Sequence, residues 1–278
     1  MIPKTIHYCW FGDNPIPDEH QEYIKSWKTF CPDYDIKLWN EKNYDLTSAP
    51  LYVRQALESK QWVFVVDYVR LDIIYHYGGI YLDTDVELVK NLDDLLDNEA
   101  FCGVEFGNAV NLGLMFGARQ NSRIIKELRD IYVSKSFYIE NGELDLTPTN
   151  YYSEQVLVSK GFKKDGTMQV IEGLRVYPQK FFGSADLWLG DAPKIYKETY
   201  SIHHYASAWW SDYNKQQLAR KRAIRKKYGQ KRFDSGRAFV IADFWDDVDH
   251  VNQENGKLRS ILYAMRHFGK AYFGKMEK

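Results

Sequence analysis

The sequence is poor in features that define several large classes of protein. It has three cysteines in 278 residues, Cys9, Cys31 and Cys102, an odd number with no CxxC pair. That argues against both a disulfide framework and a cysteine-built zinc site, and makes a reducing compartment the simpler home. Net charge is nearly absent, with 37 Lys plus Arg against 38 Asp plus Glu. A surface that is basic throughout and coats nucleic acid is therefore not expected, although a local basic patch can still sit inside that average. Long apolar runs are missing as well: the densest, Trp62 to Val66, is stopped by Asp67. The opening Met1-Ile2-Pro3-Lys4-Thr5 is not a charged leader ahead of an apolar core, so neither conventional secretion nor a membrane span is expected. There is no internal repeat and no low-complexity tract. What remains is 45% hydrophobic and 16% aromatic residues spread along the chain, enough for one large ordered domain with or without an appendage.

The pattern alternates strands with helices. Thr5 to Phe11 reads as a buried strand ending at the loop Gly12-Asp13-Asn14-Pro15, Glu19 to Phe30 as an amphipathic helix, and Tyr34 to Trp39 as a second strand. This order predicts an α/β fold with a parallel sheet. Helices are expected over Leu51–Ser59 and Val63–Tyr77, the second closed by Gly78-Gly79. Ile80-Tyr81-Leu82 then forms a short strand delivering Asp83-Thr84-Asp85 beyond its carboxyl end, where open α/β sheets bind ligands. Further strands are predicted at Phe101–Phe106, Asn111–Gly117, Gln169–Ile171 and Leu174–Tyr177. Helices are predicted at Ile124–Tyr132 and Glu154–Ser159, with a polar, irregular stretch over Tyr138–Tyr152. After Trp210 the composition shifts, and Lys215 to Arg232 carries basic residues without acidic ones.

Two carboxylates separated by one residue point to the same side of an extended chain, so Asp83 and Asp85 can converge on a hard divalent cation. The plainer reading is a strand-end turn with two solvated acids. Asp67 and Arg70 share one face of a strongly apolar helix, where they form either an internal salt bridge or a pocket wall that hydrogen-bonds sugar hydroxyls. In Ile202-His203-His204-Tyr205-Ala206-Ser207-Ala208-Trp209-Trp210, the residues His204, Ser207 and Trp209 offer an imidazole metal ligand, a hydroxyl metal ligand and an indole donor to a phosphate oxygen, which with Asp83 and Asp85 suggest a metal-diphosphate site. Ordinary core packing accounts for paired His and Trp equally well. Asn111, in a predicted strand, offers an amide to a ligand or to the fold.

The run Asp67-Tyr68-Val69-Arg70 with Tyr75-His76-Tyr77-Gly78-Gly79-Ile80-Tyr81-Leu82-Asp83-Thr84-Asp85 resembles the sugar-binding region, containing the DxD motif, of family 32 glycosyltransferases. The opening Ile2 to Gly12 and the later Ser26-Trp27, Tyr34 and Trp39 are similar to the same group. The catalytic domains of clostridial glucosylating toxins resemble it more distantly. The resemblance covers residues 2 to 120 and returns at His203 to Trp209. It implies a GT-A (Rossmann-like) glycosyltransferase fold, a nucleotide-diphospho-sugar donor, an Mn2+ or Mg2+ ion, and retention of anomeric configuration. It also implies that Trp10 stacks on the base, that Asp67 and Arg70 hold the donor sugar, that Asp83 touches ribose, sugar and metal, and that Asp85 is the principal metal carboxylate. His204-x-x-Ser207-x-Trp209 resembles a Glu-x-x-Ser-x-Trp arrangement, with His in place of Glu.

The expectation is thus a catalytic domain over residues 1–212 with a basic, mainly helical extension over 213–278. Its reaction would move a hexose or N-acetylhexosamine from a UDP-sugar to a saccharide or lipid-linked acceptor in surface polysaccharide synthesis, in the cytoplasm. A haloacid-dehalogenase-like phosphatase leaves the opening Trp strand and His204–Trp209 without a role. A non-catalytic carbohydrate-binding protein would use the 21 Tyr, 15 Phe and 8 Trp as stacking platforms, but many of these already fit core faces. The basic tail, Arg220 to Lys227 followed by apolar Ile261 to Phe273, reads either as a solvated helix face or as a surface for an anionic membrane leaflet. Nucleic acid is not an expected partner.

Overall fold

The computed structural model describes residues 1–140, 142–183, 192–206 and 212–229. The chain divides into two compact units, Met1–Ala206 and Ser207–Lys278. The described part of the second is one helix, Asp212–Tyr228, whose last turn carries Arg225, Lys226 and Lys227. The apolar residues from Ile261 onward lie outside the described residues. Among the described residues, no helix is long and apolar enough to cross a membrane.

The first unit opens with β1 (Thr5–Cys9), α1 (Asp18–Phe30) and β2 (Asp35–Trp39). Pro17 precedes α1, and Asp18 and Glu19 occupy its first turn, where negative charge complements the helix N-terminus. Next come α2 (Leu51–Glu58) and α3 (Trp62–Tyr77). Helix α3 is apolar on most of its circumference, which suits a helix packed on several sides, and nine of its sixteen residues are buried. It stops at Gly78, whose φ of +65° favours glycine, and where a Cβ would lie 2.8 Å from the Gln120 backbone nitrogen.

Beyond α3 lie β3 (Gly79–Tyr81), β4 (Val86–Leu88), β5 (Ala100–Val104), β6 (Val110–Ala118), α4 (Arg123–Asp130), α5 (Thr149–Ser159), β7 (Gln169–Ile171), β8 (Leu174–Tyr177) and β9 (Ser201–His203). Helix α5 starts five residues before the expected Glu154, directly after Pro148.

Seven strands form one sheet in the order β2-β1-β3-β6-β5-β8-β7. The α/β layout holds, with strand and helix alternating up to an acid pair beyond a parallel strand. The expectation of a parallel sheet needs correction. Strand β1 pairs parallel with β2 and β3, but β6 runs antiparallel to both β3 and β5. The link from β5 to β6 is too short for the crossover that a parallel pair needs; it turns at Gly107, φ +76°.

One face of this sheet packs against α3, with α2 and α4 against α3 in turn, in a core that includes Tyr52, Phe64, Val69, Ile73, Phe116 and Ile125. The other face buries Ile6, Trp27, Ile80, Phe101, Leu114 and Met115. A second sheet was not expected at all: β4 and β9 pair antiparallel, with Val86 opposite His203 and Leu88 opposite Ser201.

Candidate active site

The site lies just past the carboxyl ends of β1 and β3. These strands are parallel neighbours, so Trp10, following β1, and Asp83, following β3, leave the sheet at the same edge. Three groups meet there. Ligand atoms of Asp83, Asp85 and His203 all lie within 4.8 Å of one another. The β4–β9 pairing brings the late imidazole to the early acids, and His203 Nε2 is 3.2 Å from Asp85 Oδ1. The Ala206 N–H donates to Asp85 Oδ2 at 2.9 Å, and the His204 N–H donates to the Asp85 carbonyl at 2.9 Å.

Each carboxylate is held differently. Asp83 Oδ1 accepts a hydrogen bond from the Tyr81 hydroxyl at 3.0 Å, and Arg70 Nη1 stands 3.4 Å from Asp83 Oδ2. Arg70 Nη2 in turn lies 3.1 Å from Asp67 Oδ1, and its guanidinium carbon is 5.1 Å from the centre of the Tyr81 ring. Asp67, Arg70 and Asp83 therefore form a chain from the interior of α3 outward, with side-chain exposures of 3%, 6% and 27%. The internal salt bridge read from the sequence is present, and it ends on Asp83, a carboxylate of the site. Removing one partner would leave the other charge buried and uncompensated.

Burial pushes the Asp67 carboxyl up to about 7 against the pull of Arg70, and also raises Asp83. Asp85 behaves oppositely. Burial alone would raise it, but the His203 charge and hydrogen bond, with the Ala206 N–H, hold it well below the usual carboxylate range. Burial would lower His203, and Asp85 overrides it, so the imidazole is raised.

The imidazole turned toward the acids is thus that of His203, not that of His204 as expected. Neighbours in an extended chain point to opposite sides. His204 instead stacks on Tyr23, with ring centroids 4.0 Å apart and planes 7° apart, and its Nε2 meets Glu87 Oε2 at 2.9 Å. Ser207 and Trp209 lie outside the described residues. Trp10 is half-buried, donates from Nε1 to the Asn14 carbonyl at 2.7 Å and stands edge-on to His20 at 6.1 Å. Asn111 is engaged at both ends of its amide, donating to Glu105 Oε2 at 2.7 Å and accepting from the Gly113 N–H at 2.7 Å.

Sequence reasoning missed His203, Tyr81, Glu105, His20 and Gly113. Only Gly113 carried a usable signal, because an isolated glycine inside an apolar strand often marks a close approach. Here a Cβ would lie 2.4 Å from Asp83 Oδ2 and 3.0 Å from Asn111 Oδ1.

A divalent cation fits these residues. Two carboxylates and an imidazole suit Mn2+, and the carboxylates alone suit Mg2+. His203 Nδ1 is also buried with no hydrogen-bond partner among the described residues. Asp83, Asp85 and His203 would hold the ion.

Comparison with known proteins agrees with this geometry. Residues 17–102 match the family described as the glycosyltransferase sugar-binding region containing DXD motif. The chain is 31% identical over 133 residues to inositol phosphoceramide mannosyltransferase 3 of Schizosaccharomyces pombe, covering 47% of this chain and 37% of that protein. It is 27% identical over 143 residues to mannosyl phosphorylinositol ceramide synthase CSH1 of Saccharomyces cerevisiae, covering 50% and 38%. The chain thus spans under two-fifths of the length of these curated relatives. Among solved structures, PaToxG glycosyltransferase has a TM-score of 0.46 at 18% identity, over 58% of this chain and 70% of that one. The resemblance read from Asp67 to Asp85 is borne out as a match: residues 17–102 match that sugar-binding region, and Asp83-Thr84-Asp85 falls inside the matched segment with the DXD pattern its description names.

Proposed function

We propose that the protein is a retaining, metal-dependent glycosyltransferase. In this reading it moves a hexose or N-acetylhexosamine from a nucleotide-diphospho-sugar, a UDP-sugar first, to a saccharide or lipid-linked acceptor in surface polysaccharide synthesis. The observation that carries the reading is the meeting of Asp83, Asp85 and His203, with Arg70 behind Asp83 and Trp10 at the same sheet edge. Neither a phosphatase nor a lectin calls for that combination. The printed names of the yeast relatives add mannose to the sugars worth trying.

The parts divide the work. Trp10 offers its ring to the base, and Arg70, fixed between Asp67 and Asp83, offers donors to sugar hydroxyls. Asp83, oriented by Tyr81 and Arg70, places negative charge where positive charge develops on the sugar. A bound Mn2+ or Mg2+ would supply neutralisation of the charge on the diphosphate. In a front-face displacement the bond from the anomeric carbon to the phosphate oxygen breaks as the bond to the acceptor oxygen forms, and the acceptor proton passes to the departing phosphate. Catalysis resides in residues 1–212. The basic extension, 213–278, rests against the anionic inner face of the cell membrane, where a lipid-linked acceptor is presented.

The test is a screen of UDP- and GDP-sugars for hydrolysis or transfer with Mn2+, with Mg2+ and in EDTA. Turnover of at least one donor that EDTA abolishes is expected. Release of phosphate from simple phosphomonoesters without any sugar-nucleotide turnover would overturn the proposal.

A further inference from the structure

The middle residue of the DXD motif is not a spacer. Thr84 is buried, and its hydroxyl shares a 2.9 Å hydrogen bond with Nδ1 of His20, itself buried on α1. The His20 and Trp10 rings meet edge-on, with centroids 6.1 Å apart. On the same side of α1, Tyr23 stacks on His204, Ser26 Oγ accepts from the Leu88 N–H at 2.9 Å, and Trp27 Nε1 donates to the Val86 carbonyl at 2.8 Å. Spacing of three, three and four residues puts these groups along one helix stripe. The stripe grips β4, the residue just past β9 and the segment between the acids.

We propose that His20 is a positioning residue for the carboxylate pair: through Thr84 it fixes the backbone between Asp83 and Asp85 so that both carboxylates face His203. Backbone bonds hold the two ends of this turn, with the Val86 N–H donating to the Asp83 carbonyl at 3.1 Å and the His204 N–H to the Asp85 carbonyl at 2.9 Å. The side chain between the acids adds a further anchor, to a helix. Because His20 also touches Trp10, the same residue ties the nucleobase platform to the cation site. The inference rests on the functional reading above for the identity of that cation.

The experiment is titration of the nucleotide-free, full-length protein with Mn2+, followed by electron paramagnetic resonance of the free ion. His20→Ala and Thr84→Val should each weaken binding on the order of tenfold, the usual scale for groups that orient ligands. The double variant should be no weaker than the weaker single one, since both remove one bond. His20→Asn, which can return a donor near the Nδ1 position, should recover binding to within about twofold of the native protein. A His20→Ala protein that binds Mn2+ as tightly as the native one, an additive double variant, or a His20→Asn protein as impaired as His20→Ala would each overturn the positioning role while leaving the transferase reading in place. Native protein that binds no Mn2+ would overturn both.

Discussion

The two sheets of the first unit are built on opposite principles. The seven-stranded sheet is covered by apolar layers on both faces, and β6 alone contributes nine consecutive buried residues. The two-stranded sheet has three residues per strand, too few for independent stability, and survives because α1 lies against β4. Yet the small sheet positions the chemistry, since its pairing sets His203 beside Asp85. Stability and reactivity are thus separated in space, and each sheet can be perturbed while the other reports.

The sharpest break is Asp85→Asn, which removes the carboxylate that pairs with His203 without touching either apolar layer. Turnover should fall on the order of 10³-fold, with the melting temperature nearly unchanged. Full activity in this variant would dissolve the division between the sheets. Next come the last residue of β9 and the one that follows it. His203→Ala should weaken Mn2+ binding by roughly 10- to 100-fold, whereas His204→Ala, which loses a stack and a hydrogen bond to Glu87, should change it by a few-fold at most. Calorimetry on both variants decides this, and equal losses would show that the parity of the strand does not govern the site.

The smallest effect belongs to the large sheet. His7 in β1 accepts the Trp39 indole N–H at Nδ1, so its Nε2–H donates to the Gly78 carbonyl at 3.0 Å. Burial pushes this imidazole down to about 4. The unfolded chain then takes up a proton at higher pH than the folded one, so stability is present above the ordinary imidazole value and is lost as pH falls toward about 4. Between about pH 7 and about pH 5 the loss should be roughly 2 kcal/mol. Denaturant melts of native protein and His7→Gln should converge as the pH is lowered, and parallel curves would remove His7 from the account.

The large sheet was legible because its signals are long or local. Strands over Gln169–Ile171 and Leu174–Tyr177 coincide with expectation, and the helix ending at Gly78 delivers the acid pair as read. The mixed direction of the sheet was not legible, because a short turn near Gly107 encodes it and periodicity does not. The small sheet was invisible for a different reason. Three residues such as Val86-Glu87-Leu88 contain one alternation, which cannot be told from a loop. For the same reason the choice between His203 and His204 could not be made, since strand parity depends on a partner far along the chain. His20 looked like one polar residue on an amphipathic helix, and its partner Thr84 like a linker between two acids.

The Ala206 N–H that caps Asp85 lies 121 positions further along the chain. At synthesis rates of 5–20 residues per second, the acid pair leaves the ribosome roughly ten seconds before its imidazole and its capping amide exist. Through that interval the nascent chain can complete much of its apolar interior but not the Asp83–Asp85–His203 cluster. A ribosome stalled before residue 203 would therefore display a packed intermediate without that cluster, and the onset of cation binding would report the arrival of a single short strand.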